Sequence, residues 1–211
     1  MQLEVVVRSL VVSGSATLLA ASWSVPLAYL LVKSKASRVV IPLLEGLVGV
    51  PTVLIGLLLY MTLSSKGPLG PLRLLYTPQA ISIGQSILIT PLITSVSYRV
   101  LTQSWSRYGE LALSLGADEV EAMRLVLSES LPGLLGAVIM GFSRALGELG
   151  VALMVGGNIK GYTRVMTTAI ALEVSKGEFG LAVWLGAFLV GIIAFISLSL
   201  RFLGIGDDRA S

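Results

Sequence analysis

Arg144 and Glu148 stand four residues apart in the apolar run GFSRALGELG, a spacing that brings both side chains to one face of a helix. A guanidinium placed there presents a flat donor fork suited to an oxyanion. The carboxylate beside it offers neutralisation instead. Two readings stay open. In one, this face, with Ala137, Gly141 and Ala145 along it, lines a pathway and Arg144 meets a passing anion. In the other, the two charges neutralise each other beneath closely packed helices, the less costly way to bury both. Glu45, beside Gly46 and Gly49 and before Pro51, is a third charge within an apolar run. It reads either as a gate element or as a neutral or hydrogen-bonded residue close to the cytoplasmic end of its span.

Two further segments carry polar groups at special backbone positions. In VGGNIKG (Val155–Gly161), amide N–H groups around Gly156 and Gly157 form either an anion nest or a helix C-cap with Asn158 in the turn. The following TRVMTTAIALEVSKGE reads as an amphipathic helix outside the membrane, with Thr167 and Thr168 facing polar surroundings as candidate pathway or gate residues, where a binding protein docks or an outer gate closes.

Other chemistry is excluded by composition. The chain has 0 Cys and 0 His, which removes disulfides, thiol nucleophiles, the usual zinc sets and any Ser/His pair. No metal or resident cofactor is expected. There is no G-x-x-x-x-G-K-[ST] loop for nucleotide phosphates. A net charge of +3, scattered along the chain, gives no footprint for nucleic acid.

The elements that position these residues are membrane spans. The chain has 211 residues, 55% hydrophobic and 13% charged, where soluble domains carry about 25% charged residues. A helical span needs about 20 apolar residues. Five runs qualify, near Val5–Val32, Val39–Leu63, Pro78–Leu101, Pro132–Val155 and Leu181–Leu203. The first is long enough for its opening turns to lie along the interface. It is also longer than the apolar core of a signal peptide and has no charged leader, so no cleavable signal is expected. The runs are continuous rather than alternating, which argues against a barrel. Pro26, Pro42, Pro51 and Pro91 fall inside them and read as kinks, not breaks.

Orientation follows the cations at span ends. The loop KSKASR, with Lys33, Lys35 and Arg38 and no acid, marks the cytoplasmic side. Alternation then puts Ser64–Thr77 outside, the stretch Tyr108–Pro132 inside, Gly156–Gly180 outside and the C-terminus inside.

That inner stretch, YGELALSLGADEVEAMRLVLSESLP, concentrates Glu110, Asp118, Glu119, Glu121 and Glu129 against one base, Arg124. It reads as a helix–turn–helix: Tyr108–Leu115 helical, Gly116-Ala117 turning, and Asp118 capping a second helix with Glu121 as its reciprocal partner. Ser130 is placed to cap the next helix, with Pro132 in its first turn. Ala112 and Gly116, four apart, share a face without bulk. A bare face rimmed by charge fits a helix docked in a partner's groove, and a solvated hairpin joining two spans fits equally.

Glu110-x-Ala112 followed by Gly116 resembles the EAA…G loop of permease subunits in ATP-binding-cassette (ABC) importers, with Leu111 at the first alanine and the Leu-Pro deferred to Leu131-Pro132. VPTVLIGLLLYMTLSSKGPLGPLRLLYTP (Val50–Pro78), GFSRALGELG (Gly141–Gly150) and VGGNIKGYTRVMTTAIALEVSKGEFGLA (Val155–Ala182) are similar to the molybdate/sulfate/tungstate branch of that family, tungstate-type permeases above all. The resemblance covers nearly the whole chain. It implies an all-α membrane protein: one permease domain over 1–211, with about five spans and a cytoplasmic coupling helix in the loop 102–131. This is the type I importer fold, held in the cytoplasmic membrane. It further implies ATPase coupling through Glu110, Ala112, Gly116, Ala117 and Asp118. Its implied partners are a separate ATPase that binds ATP and Mg, an external solute-binding protein, a second permease copy and the surrounding lipid. Such a chain is a transport subunit and not an enzyme.

Two rival classes fit less well. An ion-coupled secondary transporter usually carries acids or histidines in mid-span, whereas Asp118, Asp207 and Asp208 lie outside the spans. An intramembrane hydrolase lacks a metal set, and a Ser-Lys dyad lacks a mid-span lysine.

Overall fold

The computed structural model describes residues 2–202; the end of the fifth run at Leu203, the C-terminus and Asp207 and Asp208 lie outside the described residues. Among the described residues nine α-helices follow in order: α1 Gln2–Val32, α2 Ser37–Leu47, α3 Thr52–Leu63, α4 Pro78–Ser104, α5 Glu110–Ser114, α6 Glu119–Leu146, α7 Gly150–Gly156, α8 Met166–Ser175 and α9 Phe179–Phe202. Among the described residues, α1, α4, α6 and α9 are each long and apolar enough to span a membrane, and the bent pair α2–α3 makes a fifth candidate. The all-helical, polytopic expectation holds.

The core is a three-helix bundle of α1, α4 and α6. α1 presents Ser9, Ser13, Ala16, Thr17, Ala20, Ser24 and Ala28, all buried, at helical spacing along one face. Lipid supplies no hydrophobic drive between helices, so association rests on close contact between small residues. Polar bonds set the register. Ser15 and Ser82 hydroxyls lie 2.9 Å apart, and Trp23 Nε1 donates to Thr90 Oγ1 at 2.7 Å, so α1 and α4 run parallel. Buried Gln85 of α4 accepts from Ser13 at 3.3 Å and donates to the Ala145 carbonyl of α6 at 3.0 Å. Many large apolar side chains point outward, among them Leu18, Leu30, Val183 and Phe195, while Ile81, Ile89, Ile93 and Leu101 of α4 are buried in the bundle.

Several expectations need correction. First, Pro51 breaks its span: α2 and α3 meet at 96°. Pro51 takes an extended conformation, φ −56° and ψ 122°, and Gly49 just before it adds no helix preference. Pro26, Pro42 and Pro91 do remain inside helices. Second, the fourth run is not one span over Pro132–Val155. α6 starts at Glu119, ends at Leu146, and the chain restarts as α7 at Gly150. Third, Ser130 caps nothing. It is buried inside α6, and Pro132, exposed, also falls in the helix interior and not in a first turn, because the cap at Asp118 has already started the helix. Fourth, Thr167 and Thr168 on α8 are buried. Their hydroxyls are satisfied by backbone within the protein, not by water: Thr167 Oγ1 donates to the Glu148 carbonyl at 2.7 Å, and Thr168 Oγ1 to that of Val165 at 3.0 Å. α1 is a single helix from Gln2 onward, so its opening turns continue the span without turning along the interface.

The two breaks lie against each other. A Cβ on Gly150 would sit 2.6 Å from Thr52 Oγ1 and 2.9 Å from the Val53 nitrogen, so only glycine lets α7 begin against the start of α3.

The bundle has two distinct ends. At one, Lys33 reaches Glu119 at 3.2 Å and lies 4.1 Å over the Trp105 ring, joining the basic loop to the acidic elbow. At the other, Arg8 donates to the carbonyls of Gly161 and Arg164 at 2.8 and 3.1 Å, and the Tyr76 N–H to Val155 at 2.8 Å. This agrees with the loop alternation read from the cations. Single cysteines at exposed Lys35 or Leu115 are expected to react only with reagent on the cytoplasmic side, and at Ser65 or Lys176 only with external reagent. Labelling of Leu115→Cys from outside would invert the orientation.

Candidate functional site

The elbow between α4 and α6 is built from local signals. α4 passes into a π-helical turn, Trp105–Gly109, and then into α5. Gly116 closes α5 with φ +94°, the left-handed value that an L side chain resists. The Gly116 N–H donates to Leu113 at 3.1 Å and the Ala117 N–H to Ala112 at 3.0 Å, a Schellman closure. Asp118 then caps α6, its Oδ1 accepting from the Val120 and Glu121 N–H groups at 2.8 Å each. Glu121 Oε2 accepts in return from the Asp118 N–H at 3.1 Å.

The bare face expected from Ala112 and Gly116 does not form. Ala112 is buried against the protein, and Gly116 lies beyond the helix as its terminator. The elbow presents bulk instead. Leu111 and Leu115 share a face one turn apart; Leu115 is 80% exposed, and Leu113 and Val120 are exposed beside them. Glu110, Asp118, Glu119 and Glu121, all exposed, rim this apolar knob. Such a surface suits a partner groove with an apolar floor and a basic rim.

At the far end of α6 the charge pair is present. Arg144 Nη1 donates to Glu148 Oε2 at 2.7 Å. The two partners differ sharply in setting: Glu148 is 2% exposed and Arg144 38%. Glu148 sits in the break itself, past the end of α6. Its Oε1 accepts from the Val151 N–H at 3.2 Å, at the start of α7. One carboxylate thus neutralises a cation, holds the restart of a helix and, through its carbonyl, anchors Thr167. The geometry shows the ion pair with Glu148 as a structural anchor and a partly exposed guanidinium at Arg144.

Glu45 is a hydrogen-bonded residue, as one of its two readings has it: Arg99 of α4 donates to it at 2.5 Å. Arg99 went unnoticed among the intramembrane charges because it falls close to the end of its run. The signal was nonetheless present, since an acid and a base within adjacent spans invite pairing. At VGGNIKG the C-cap reading prevails: Gly157 is left-handed (φ +67°) and its N–H is taken by the Leu153 carbonyl at 3.1 Å. Asn158 Oδ1 accepts from Arg164 Nε at 3.0 Å. Among the described residues, no cluster of acids suits a metal ion.

Several curated proteins are similar over most of this chain, among them the following three. The tungstate uptake system permease protein of Peptoclostridium acidaminophilum is 37% identical over 190 residues, 89% of this chain and 83% of that one. A probable anion ABC transporter permease protein of Haloferax volcanii is 34% identical, covering 92% and 87%. The tungstate uptake system permease protein of Campylobacter jejuni is 35% identical, covering 76% and 67%. No family model matches the chain.

Proposed function

This chain belongs to the tungstate-type permeases of ABC importers, and from that premise we propose that it moves a tetrahedral oxyanion inward across the cytoplasmic membrane, driven by a separate ATPase. The ATPase binds ATP and Mg; this chain supplies the path and the lever. The elbow formed by Glu110–Glu121 is the docking knob, with Leu111 and Leu115 seated in the ATPase groove. Gly116, Ala117 and Asp118 fix its shape without making the contact themselves.

The observation that carries this reading is the continuity of α6. It runs unbroken from the Asp118 cap beside the knob to Leu146 beside Arg144. At 1.5 Å per residue, 28 residues make a rod of about 42 Å. A rod transmits displacement of the knob to its other end, where the Gly147–Leu149 break, held by Glu148 and Thr167, can yield. The broken α2–α3 pair lies against that break, so two spans can shift together.

Five thin spans enclose little volume, so the path forms between two copies of the chain, with the Arg144 guanidinium toward it. A solute-binding protein delivers the anion to the opposite end, at the loops 64–77 and 157–165. Tungstate, molybdate and sulfate share a tetrahedral dianionic shape, and the binding protein does most of the selecting. Uptake of labelled tungstate by cells producing the whole importer tests the substrate. Excess unlabelled tungstate is expected to suppress uptake most, molybdate less and sulfate least. Suppression by sulfate alone would overturn the tungstate assignment.

A further inference from the structure

Between the start of α1, the 157–165 loop, α8 and the start of α9 lies a cavity of about 120 Å³. Arg8, Lys160 and Arg164 line it, with Glu4 and Glu173 as the acids and Leu185 among its apolar walls. Glu173 is already held by Lys176 at 3.0 Å. Arg8 and Arg164 direct their hydrogen bonds to backbone carbonyls and Asn158. Among the described residues neither guanidinium, nor Lys160, has a carboxylate within ion-pair distance. The cavity is therefore cationic despite Glu4.

Below it, an open apolar groove of about 630 Å³ follows α9 and includes Leu10, Trp184, Phe188, Gly191, Ile192 and Phe195. Leu181 and Leu185 of the cavity and Phe188, Ile192 and Phe195 of the groove fall on one stripe of α9, spaced by three and four. From Trp184 to Ile196 the groove runs about 18 Å at 1.5 Å per residue, close to one leaflet of a hydrocarbon core about 30 Å thick. Trp184 and Phe188 stack at 5.5 Å at its upper end, where aromatic side chains favour the bilayer interface.

We propose that this cavity and groove form a site for one anionic phospholipid, its phosphate at Arg8, Lys160 and Arg164 and one acyl chain along α9. The charge excess selects an anionic over a zwitterionic headgroup, and the length of the groove selects a lipid over a free anion. The site lies at the opposite end of the chain from the elbow and does not include Arg144; Lys160 and Arg164 belong to the 157–165 loop that also faces the binding protein.

Native mass spectrometry and thermal unfolding of the purified chain test it, with phosphatidylglycerol, phosphatidylcholine or inorganic phosphate added. Phosphatidylglycerol is expected to remain bound and to raise Tm, phosphatidylcholine to do so less, and phosphate not at all. Lys160→Gln is expected to weaken phosphatidylglycerol binding about five-fold, the contribution of one surface cation toward an anionic lipid. Gly191→Phe should fill the groove without disturbing the fold, since a Cβ there meets nothing within 4 Å, and should abolish retention while lipid-free Tm is unchanged. The proposal is overturned by equal retention of the two lipids, by an equal Tm rise with phosphate, or by undiminished binding in Gly191→Phe. A lipid-free dimer that Gly191→Phe dissociates would likewise overturn it, assigning the groove to a second copy.

Discussion

Arg144→Ala is expected to destabilise the protein by about 3 kcal/mol, the lower end for breaking a buried pair because Arg144 is itself 38% exposed. The cost arises at Glu148, 2% exposed, which loses its counter-charge while still pinned to the Val151 N–H. The double variant Arg144→Met with Glu148→Gln should recover most of that stability. Glutamine keeps an acceptor for Val151, which methionine at Glu148 would not, so the restart of α7 survives. Thermal unfolding in detergent reads the stability, and uptake in reconstituted vesicles reads the function. If Arg144 meets the anion, the double variant folds well and transports far below wild type, while its ATPase partner is still stimulated by loaded binding protein. Transport at the wild-type rate would leave Arg144 a packing residue.

Leu115→Ser is expected to have the opposite profile, with unchanged stability and lost transport. Leu115 is 80% exposed, so the isolated chain gains nothing from it. Burial of a leucine in a partner groove contributes about 2 kcal/mol, and losing it lowers affinity about thirty-fold. Serine removes the apolar contact and leaves the acidic rim intact. Retained ATPase binding together with full uptake would show that the knob is not the seat of coupling.

The features legible in the sequence were those written within a few residues. The cap at Asp118 with Glu121 needed only a four-residue pattern, and the apolar runs announced a polytopic helical chain, four helices being long and apolar enough to span and the bent α2–α3 pair a fifth candidate. The pairing of Arg144 with Glu148 followed from spacing alone. What escaped depends on contacts distant in sequence. The end of α6 at Leu146 is fixed by Glu148 turning to Val151 and by Gly150 lying against Thr52, nearly a hundred residues away. Hydropathy alone runs straight through that break. Thr167 and Thr168 look like surface residues because their partners are backbone groups of the break and of their own cap. Ala112 and Gly116 had the right spacing for a shared face, but Gly116 serves as the left-handed terminator, and the exposed leucines beside it form the surface instead.

The most direct test of coupling is contact at the knob in intact cells. A photo-crosslinking residue at position Leu115 is expected to join this chain, from the cytoplasmic side, to a soluble protein carrying a G-x-x-x-x-G-K-[ST] nucleotide loop, and loss of ATP should change the yield. A chain that transports its oxyanion at full rate while Leu115 crosslinks to no ATPase would contradict the account.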